Sequence, residues 1–436
     1  MSVDIRTRED GSLPALDPEG FFAGELPAAL EARRAGIAPG AAGLGLRPLT
    51  IETPDTAATL FWRGDRAEVE KGAAPDTAGG LLWRLDGEAL GDLVRDQKTP
   101  MTFFAAGELD VERGGLGDLL DWWLVLRAAL DGRPIHTAGS VVLRARDGSP
   151  LDLARSFTTD DDPAEMSHFL HEAGFLHLRG LFAKDRMRQI SDDMDAAAAD
   201  YSDGDGRSWW VKTKGGERRL VRMQGFDAKS ETTAALLEDP AFVRIGEITG
   251  DGHRHAGLVG NRIEALFKPI GVVEGISDVP WHKDCSLGRH SYDCSNLTTG
   301  ISVSGAGPES GQLRVRPGSH RALCWPAIGQ PGLDLPDLPL ATETGDVTVH
   351  LSCTLHMAQP PVERERRVLY TSFRLPDRSA AAEHARRKLR EVREKAPVTV
   401  SQEPSEVGCA PRSPFATLES VRLKRGLRRT PGLRRP

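Results

Sequence analysis

The sequence predicts an α+β protein built of two domains. A stretch rich in turn-forming residues, at about 145–163, divides the 436-residue chain into two parts that are each long enough to bury a core. Before this stretch, short strand patterns alternate with helical patterns, and after it short apolar runs typical of strands dominate. We therefore expect an N-terminal domain over residues 18–145 and a C-terminal domain over residues 157–378.

The N-terminal domain is expected to combine a small sheet with several helices. Apolar residues at helical spacing predict the helices, and alternating apolar residues bounded by turn-forming residues predict the strands. The expected elements, in order, are a helix at Leu26–Ala35, strands at Thr56–Trp62, Arg66–Lys71 and Leu81–Leu85, a helix at Gly87–Arg95, a strand at Gly107–Gly114 and an apolar helix at Leu116–Leu130.

This order of elements resembles the sterol-carrier-protein type 2 fold, a small α+β lipid carrier. The segments that carry the likeness are Phe21–Phe22, Trp62–Asp65 and Thr102–Val111. The resemblance implies an apolar tunnel for a fatty or sterol-like ligand, lined in part by Trp122 and Trp123. In the alternative interpretation, both tryptophans are ordinary core residues that pack against the sheet.

Candidate metal ligands occur in the C-terminal domain at His282, Asp284 and His356. In a strand, side chains at positions i and i+2 point to the same face, so His282 and Asp284 converge while Lys283 faces away. The run Gly345–His356 is typical of a turn followed by a strand-rich segment that ends in the third ligand. Two imidazoles and one carboxylate can bind one face of Fe(II) and leave the other face open, and the same set also suits zinc.

Two neighbouring arginines, Arg366 and Arg367, begin an apolar strand pattern. An arginine that enters a buried strand requires an anion, and its planar guanidinium suits a carboxylate. Because strand side chains alternate between the two faces of a sheet, only one of these arginines can point inward.

Further segments follow the order of a known family. They are Phe169–Phe182, Lys268-Pro269, Glu309–Arg321 and Gly345-Asp346, with His356 after them. Together with the metal motif, these segments resemble the phytanoyl-CoA dioxygenase family of Fe(II)/2-oxoglutarate oxygenases. The resemblance implies a double-stranded β-helix, of the jelly-roll or cupin type, with flanking helices. It also implies Fe(II) as the metal and 2-oxoglutarate and O2 as co-substrates.

The resemblance also implies roles for particular residues. The implied metal ligands, which are also the catalytic residues, are His282, Asp284 and His356. The implied contacts of 2-oxoglutarate are Arg367, Lys268 and Thr299. The family spacing of eleven residues after the distal histidine favours Arg367 over Arg366. Lys268 either reaches 2-oxoglutarate or substrate, or lies at the rim of the barrel.

Substrate contacts are expected from Trp210, Arg222 and Gln224, in a region that commonly lines the pocket of the family that this chain resembles. Their mixture of aromatic and cationic groups fits a small molecule with an apolar body and an anionic group. Lipid-like acids, acyl thioesters and natural-product intermediates of secondary metabolism have this character. In the alternative interpretation, the segment is a surface with solvated charges. The chain departs from the family pattern at Gly300 and at Met357–Pro361, so the substrate has no sequence assignment.

Hydroxylation of an unactivated C–H bond, with release of succinate and CO2, is the predicted reaction. The carboxylate of Asp284 argues against a halogenase, because family relatives that bind chloride replace it with a small residue. Desaturation, epoxidation and cyclisation stay open. Two alternatives from other classes also stay open: a lipid carrier whose oxygenase half is inactive, and a zinc-dependent hydrolase.

Composition limits the classes of partner and compartment. The balance of 56 basic and 63 acidic residues gives a net charge of -7, which argues against nucleic acid as a partner. The five cysteines have irregular spacing, which favours a reducing compartment. Neither a secretory signal nor a membrane-spanning run is apparent, so a cytoplasmic location is expected. A polar helix is expected at 379–396, and a basic, disordered tail at 397–436.

Overall fold

The computed structural model describes residues 15–75, 80–106, 110–257, 261–275, 277–287 and 296–375. The helix expected at 379–396 and the tail expected at 397–436 lie outside these ranges. Within them, no helix is long and apolar enough to cross a membrane.

The N-terminal part alternates helices with a five-stranded sheet. Its helices are α1 (Pro18–Gly20), α2 (Leu26–Ala32), α3 (Arg34–Ala41), α4 (Gly87–Val94), α5 (Pro100–Ala106) and α6 (Leu116–Asp131), with a π-helical turn at Phe21–Glu25. Its strands are β1 (Leu49–Glu52), β2 (Ala57–Arg63), β3 (Arg66–Lys71), β4 (Leu81–Arg84) and β5 (Asp110–Arg113). The predicted elements are all present within a few residues, whereas α1, α3, α5 and β1 were not predicted.

Strand order in this sheet is β3-β2-β1-β4-β5, with β1 and β4 parallel and the other neighbours antiparallel. Helix α6 forms the centre of the core: Trp122 and Trp123 are fully buried, and the Trp122 indole donates to the Arg47 carbonyl over 2.6 Å. A cavity of about 10 Å³ beside Trp123 has room for one water at most. The structure therefore agrees with the core interpretation of both tryptophans. The likeness to a sterol carrier stays a prediction.

The C-terminal part consists mainly of strands, with helices on one side. Its helices are α7 (Pro163–Ala173), α8 (Lys184–Ala197), α9 (Glu231–Leu237) and α10 (Pro240–Glu247), with 3-10 turns at Ala198–Asp200, Phe226–Ala228, Asp284–Leu287 and Pro308–Ser310. Its strands are β6 (Phe175–Leu178), β7 (Ser208–Thr213), β8 (Arg218–Gln224), β9 (Arg254–His255), β10 (Glu264–Lys268), β11 (Val272–Glu274), β12 (Leu297–Ser302), β13 (Leu313–Val315), β14 (Leu338–Leu340), β15 (Val347–Leu351), β16 (His356–Ala358) and β17 (Arg366–Arg374).

Two antiparallel sheets form this part. The large sheet has the order β11-β7-β8-β10-β17-β12-β15-β6 with β9 beside β17, and the small sheet has the order β14-β13-β16. Residues from both sheets line one internal cavity, among them Ser302, Thr348, Arg366, Leu313 and Leu340. The mixed α and β class with antiparallel sheets is thus confirmed, and the enclosed cavity is the arrangement expected of a double-stranded β-helix.

Two glycines make close turns next to the barrel. Helix α7 ends at Gly174, whose φ of +82° lies in the left-handed region and whose Cβ would collide with the His320 ring. Gly345 has a φ of +92° and passes so close to the Phe182 carbonyl that no Cβ fits. Only glycine is compatible with both positions, and the second one directs the chain into β15.

The two parts of the chain share a core. Leu323, Trp325 and Ala327, from the C-terminal part, are buried members of the N-terminal apolar cluster. The Trp325 indole donates to Asp121 on α6 over 2.9 Å. Backbone pairing between Ile135 and Leu323 extends the contact. The N-terminal part therefore packs directly against the chain segment that adjoins the candidate metal ligands.

Candidate active site

The structure brings His282, Asp284 and His356 together. One ligand atom from each lies within 4.8 Å of those of the other two, a grouping that could hold a metal ion. The Asp284 Oδ1 atom lies 3.4 Å from His282 Nε2 and 3.5 Å from His356 Nε2. A backbone bridge pairs His282 with His356, and Asp284 begins the 3-10 turn that follows. Strand pairing thus supplies two ligands and the turn supplies the third.

Both ligand histidines are oriented by the backbone. The Nδ1 atom of His282 lies 2.7 Å from the Pro280 carbonyl, and that of His356 lies 3.0 Å from the Thr354 carbonyl. A carbonyl accepts only, so each Nδ1 carries the proton and each Nε2 keeps its lone pair for a metal. This arrangement of carbonyl, imidazole and metal is the usual support for metal-binding histidines.

The second carboxylate oxygen of Asp284 has partners of its own. Thr298 Oγ1 donates to Asp284 Oδ2 over 2.6 Å, and His350 Nε2 lies 3.4 Å from the same oxygen. His350 is buried, and its ring centroid lies 4.2 Å from that of His356. Asp284 is therefore held on the side away from Oδ1, which leaves Oδ1 to complete the ligand set.

Charges around the cluster favour an ionised Asp284. Burial opposes its ionisation, but His356, His282 and His350 outweigh burial and hold the pKa of Asp284 well below its ordinary value. Burial, followed by the charge of His356, lowers the pKa of His350 to about 4. Burial opposes the charge of His356, but Asp284 outweighs burial and raises the pKa of this ring, so a divalent metal that binds here would displace a proton from His356.

Lys283 faces away from the cluster, as the sequence predicted. Its ammonium group is buried and donates to the carbonyls of Ser319 and Ala322 over 3.0 and 3.5 Å. The strand predicted for His282 and Asp284 is absent, because His282 forms only isolated backbone bridges and Asp284 begins a 3-10 turn. The anchor of Lys283 and the pairing of His282 with Ala327 fix the segment on which the first ligand lies.

The arginine that points into the barrel is Arg366, which corrects the prediction of Arg367. Arg366 is 4% exposed and lines the internal cavity, and its Nε and Nη2 atoms have no hydrogen-bond partner among the described residues. Arg367 lies on the opposite face, where it pairs with Asp195 of α8 over 2.8 Å and donates to Ser191. The family spacing misplaced the register by one residue, because β17 begins at Arg366.

Thr299 also faces away from the cavity, contrary to the prediction. It pairs with Thr371 and Val349, on the face of the sheet that packs against the helices. Its neighbours Thr298 and Gly300 face the barrel interior, where Thr298 reaches Asp284 and Gly300 lines the cavity. The strand alternation that places Arg366 inside therefore also places Thr299 outside.

Lys268 lies inside the barrel beside Arg366, because the two residues are paired across β10 and β17. Its ammonium group is buried and donates to the Ser277 carbonyl. Burial, reinforced by the charge of Arg366, lowers the pKa of Lys268 to about 7. Burial raises the pKa of the nearby Asp278 carboxyl against the opposing effects of both cations. The interior therefore carries a local excess of positive charge.

Arg222 and Gln224 share one face of β8, next to Glu264 of β10. The Arg222 Nη1 atom lies 3.1 Å from Glu264 Oε2, and its guanidinium covers the ring of Trp209 at 4.0 Å. Trp210 instead packs against the main apolar core and donates its indole NH to Ser208 over 2.9 Å. A bulge between Trp209 and Trp210 sets this division, so Trp209 replaces Trp210 as the tryptophan beside Arg222.

The sequence of the barrel region agrees with the geometry of the site. Residues 170–367 match the family model described as Phytanoyl-CoA dioxygenase (PhyH). The match covers somewhat less than half of the chain and includes the three metal-ligand candidates and Arg366. The predicted resemblance is therefore confirmed for the C-terminal part.

Solved structures with a similar arrangement include EvdMO1, at 22% identity and a TM-score of 0.39, where the match covers 48% of this chain and 49% of that chain. EctD from S. alaskensis, solved with 2-oxoglutarate and 5-hydroxyectoine, shows 19% identity and a TM-score of 0.40, and the match covers 55% of this chain and 85% of that chain. The epimerase SnoN, solved with Fe3+, alpha ketoglutarate and nogalamycin RO, shows 16% identity and a TM-score of 0.40, and the match covers 58% of this chain and 96% of that chain. The chain thus spans about half the length of EvdMO1. No curated protein sequence matches it.

The sequence reasoning considered Arg366 but preferred Arg367, and it did not assign Thr298, His350 or Trp209 to the site. Strand alternation could have found Thr298, which is two residues before Gly300. The approach of His350 to Asp284 depends on the pairing of β12 with β15. Sequence alone carries no signal for that register.

Proposed function

We propose that this protein is an Fe(II)- and 2-oxoglutarate-dependent oxygenase that hydroxylates a small, apolar substrate carrying an anionic group. The observation that carries the proposal is the combination of two features in one barrel. His282, Asp284 and His356 form a metal-binding group, and the buried Arg366 has two nitrogens, Nε and Nη2, without a hydrogen-bond partner among the described residues. A hydrolytic zinc site would explain the first feature but not the second.

Each protein group has a distinct task in this proposal. His282, His356 and Asp284 would hold Fe(II) on one face, which leaves the opposite face for 2-oxoglutarate and O2. Fe(II), 2-oxoglutarate and O2, when bound together, would supply an oxidant for a C–H bond of the substrate, and 2-oxoglutarate would leave as succinate and CO2. The protein's share of the chemistry is to place the keto acid, exclude water and orient the substrate.

Arg366 would bind the distal carboxylate of 2-oxoglutarate. Its unpartnered Nε and Nη2 atoms form one edge of the guanidinium, the edge that binds a carboxylate in two parallel hydrogen bonds. Thr348, Ser302 and Tyr370 line the same cavity and offer hydroxyl groups. Lys268 adds a second cation, so the interior attracts a dianion more strongly than it attracts a neutral molecule.

Substrate recognition is proposed for Arg222, Trp209 and Gln224. Arg222 is partly exposed, with 24% of its side chain accessible, and Trp209 packs against its guanidinium. This pairing presents an apolar ring next to a cation, which suits an acid or thioester with an apolar body. Hydroxylation is proposed as the reaction because Asp284 fills the carboxylate position of the ligand set. Lipid-like and natural-product acids both meet this description.

Oxygen consumption that depends on Fe(II) and 2-oxoglutarate tests the proposal. We expect purified protein to form succinate when Fe(II), 2-oxoglutarate and O2 are all present, faster when a suitable acid or thioester is added. Candidate acids and thioesters can be ranked by this stimulation. The matched control is the double variant Asp284→Ala and His356→Ala, which should form no succinate. A protein that hydrolyses esters with Zn(II) under anaerobic conditions and forms no succinate would contradict the proposal.

A further inference from the structure

Residues from the N-terminal part support the turn that carries Asp284. The 3-10 turn Asp284–Leu287 is covered by the segment that leads into α5. Thr99 Oγ1 donates to the Ser286 carbonyl, and Thr102 Oγ1 donates to the same oxygen over 3.2 Å. Thr99, Thr102 and Ser286 are all completely buried. Two hydroxyl donors from residues 184 and 187 positions away thus converge on one carbonyl next to a metal-ligand candidate.

The opposite side of the ligand segment is also held by the N-terminal part. Ala327 pairs with His282, and Ala327 belongs to the N-terminal apolar cluster together with Trp325. The Trp325 indole bonds to Asp121, whose second oxygen accepts from the Gly45 amide over 2.9 Å. The segment that carries His282 and Asp284 therefore lies between two contacts that both lead into the N-terminal core.

The contacts of Thr99 and Thr102 with the Ser286 carbonyl suit a positioning role for these two residues. Two hydroxyl donors on one buried carbonyl restrict the rotation of its peptide plane. Asp284 is two residues before that carbonyl, at the start of the same turn, so a change in the turn moves the carboxylate. Groups that are hydrogen-bonded directly to metal ligands change metal affinity by about 10- to 100-fold when they are removed. Because Thr99 and Thr102 act through the turn, we expect an effect at the low end of this range.

We infer that the N-terminal part is a positioning element of the metal site, with Thr99 and Thr102 holding the Asp284 turn in its ligand geometry. This inference rests on the proposed function for the identity of the metal. The N-terminal part is then a structural component of the active site, and not a separate carrier domain. Thr99 and Thr102 are positioning residues, because they touch the turn and not the metal.

The test compares two pairs of buried threonines in the full-length protein. Thr99→Val with Thr102→Val removes both donors to Ser286. The matched control is Thr50→Val with Thr59→Val, which removes a buried hydroxyl pair bonded over 2.9 Å within the N-terminal sheet. Thr99→Ser with Thr102→Ser keeps the donors and serves as the rescue variant. Single Thr99→Val retains one donor and provides a milder version, should the double variant not fold.

Two readouts separate this inference from the proposed function. The first is the anaerobic Fe(II) dissociation constant, which we expect to rise about tenfold in the Thr99 and Thr102 valine variant, to stay within twofold in the control, and to recover in the serine variant. The second is hydrogen exchange of the peptide covering 281–287 in metal-free protein, which should accelerate in the valine variant only. Equal behaviour of the test and control pairs in both readouts would overturn the inference. Failure of the unmodified protein to bind Fe(II) would overturn the proposed function, while the exchange readout would still decide the positioning role.

Discussion

Two buried arginines, one in each part of the chain, differ in their partners. Arg127 of the N-terminal core is 1% exposed, and its Nη1 atom lies 3.6 Å from Asp96 and 3.7 Å from Asp131, while Nη2 donates to the Val94 carbonyl. Arg366 of the barrel is 4% exposed. Each arginine has two side-chain nitrogens without a hydrogen-bond partner, Nε and Nη1 in Arg127 and Nε and Nη2 in Arg366, but only Arg127 has an ion pair among the described residues. The first cation is neutralised within the fold, and the second is not.

This difference distinguishes an arginine with a structural role, Arg127, from one that can bind an anionic ligand, Arg366. An unpaired buried charge costs several kcal/mol, so a fold tolerates one only where something else compensates it. In the barrel, an anionic ligand can provide that compensation. In the N-terminal core, the carboxylates of Asp96 and Asp131 already provide it. We therefore assign ligand binding to the barrel and a supporting role to the N-terminal part.

The largest expected effect follows from Arg366→Leu. Loss of the only unpaired guanidinium in the described barrel should raise the 2-oxoglutarate concentration for half-maximal succinate formation several-hundred-fold, since losing a buried charged partner costs roughly 2–5 kcal/mol. Steady-state succinate assays measure the change. The control is Arg367→Leu, which breaks only the pair with Asp195 on α8 and should leave that concentration within a few-fold. The reverse order of the two variants would show that the comparison assigns the wrong arginine.

Arg127→Met should act on stability and not on 2-oxoglutarate. The substitution leaves Asp96 buried without its cation, which should lower the free energy of unfolding by about 3 kcal/mol. This is the low end of the usual range, because both ion pairs are long. Urea unfolding measures the loss. A large rise in the 2-oxoglutarate requirement of the folded variant would break the distinction between the two arginines.

Because the pKa of the buried Lys268 is lowered, we expect the free energy of unfolding to depend on pH. The pKa of Lys268 is about 7 in the folded protein, below the value of 10.5 for an exposed lysine. Between these values the unfolded chain binds the proton and the folded chain does not, so stability should rise with pH, by about 1 kcal/mol between pH 7 and pH 8. Below pH 7 the cost of the buried charge is fully present.

Lys268→Met should abolish this rise, because it removes the titrating group. Unfolding free energies at pH 7 and pH 8, measured for both proteins, check the prediction. An unchanged pH dependence in the variant would show that another group is responsible. Because 2-oxoglutarate places negative charge nearby, its affinity for the unmodified protein should also fall as the pH rises through 7.

The smallest effect concerns the pair of tryptophans. Trp209→Ala removes the ring beneath Arg222 and should raise KM for the substrate a few-fold, in line with about 1 kcal/mol for a partly exposed cation–π contact. Trp210→Ala should instead reduce thermal stability, because Trp210 packs against the main core. KM and melting temperature, measured for both variants, test the assignment. An increase in KM for Trp210→Ala alone would reverse it.

Much of the fold was predictable because its signals are local. Helix α6 and strand β3 follow from apolar spacing and from the turn at Arg63–Asp65, and both occur where they were expected. The metal-ligand candidates were predictable for a similar reason, since His282 and Asp284 are two residues apart. Their convergence with His356 depends on a backbone bridge between His282 and His356 and on the 3-10 turn that begins at Asp284.

The remaining site residues depend on register, which sequence patterns specify weakly. A shift of one residue reverses the direction of every side chain in a strand, and this decided between Arg366 and Arg367 and between Thr298 and Thr299. The bulge in β7 and β8 had the same effect on Trp209 and Trp210. The contact of Thr99 with Ser286 joins distant segments, so no local pattern could have indicated it.

Anaerobic titration of the Fe(II)-loaded protein with 2-oxoglutarate tests the central claim most directly. Chelation of Fe(II) by a keto acid gives a visible charge-transfer band, so the band reports metal and co-substrate in one site. We expect a saturable band in the unmodified protein and in Arg367→Leu, and a band that requires several hundred times more 2-oxoglutarate in Arg366→Leu. A metal-loaded protein that shows no band, or an Arg366→Leu variant that saturates like the unmodified protein, would contradict the account.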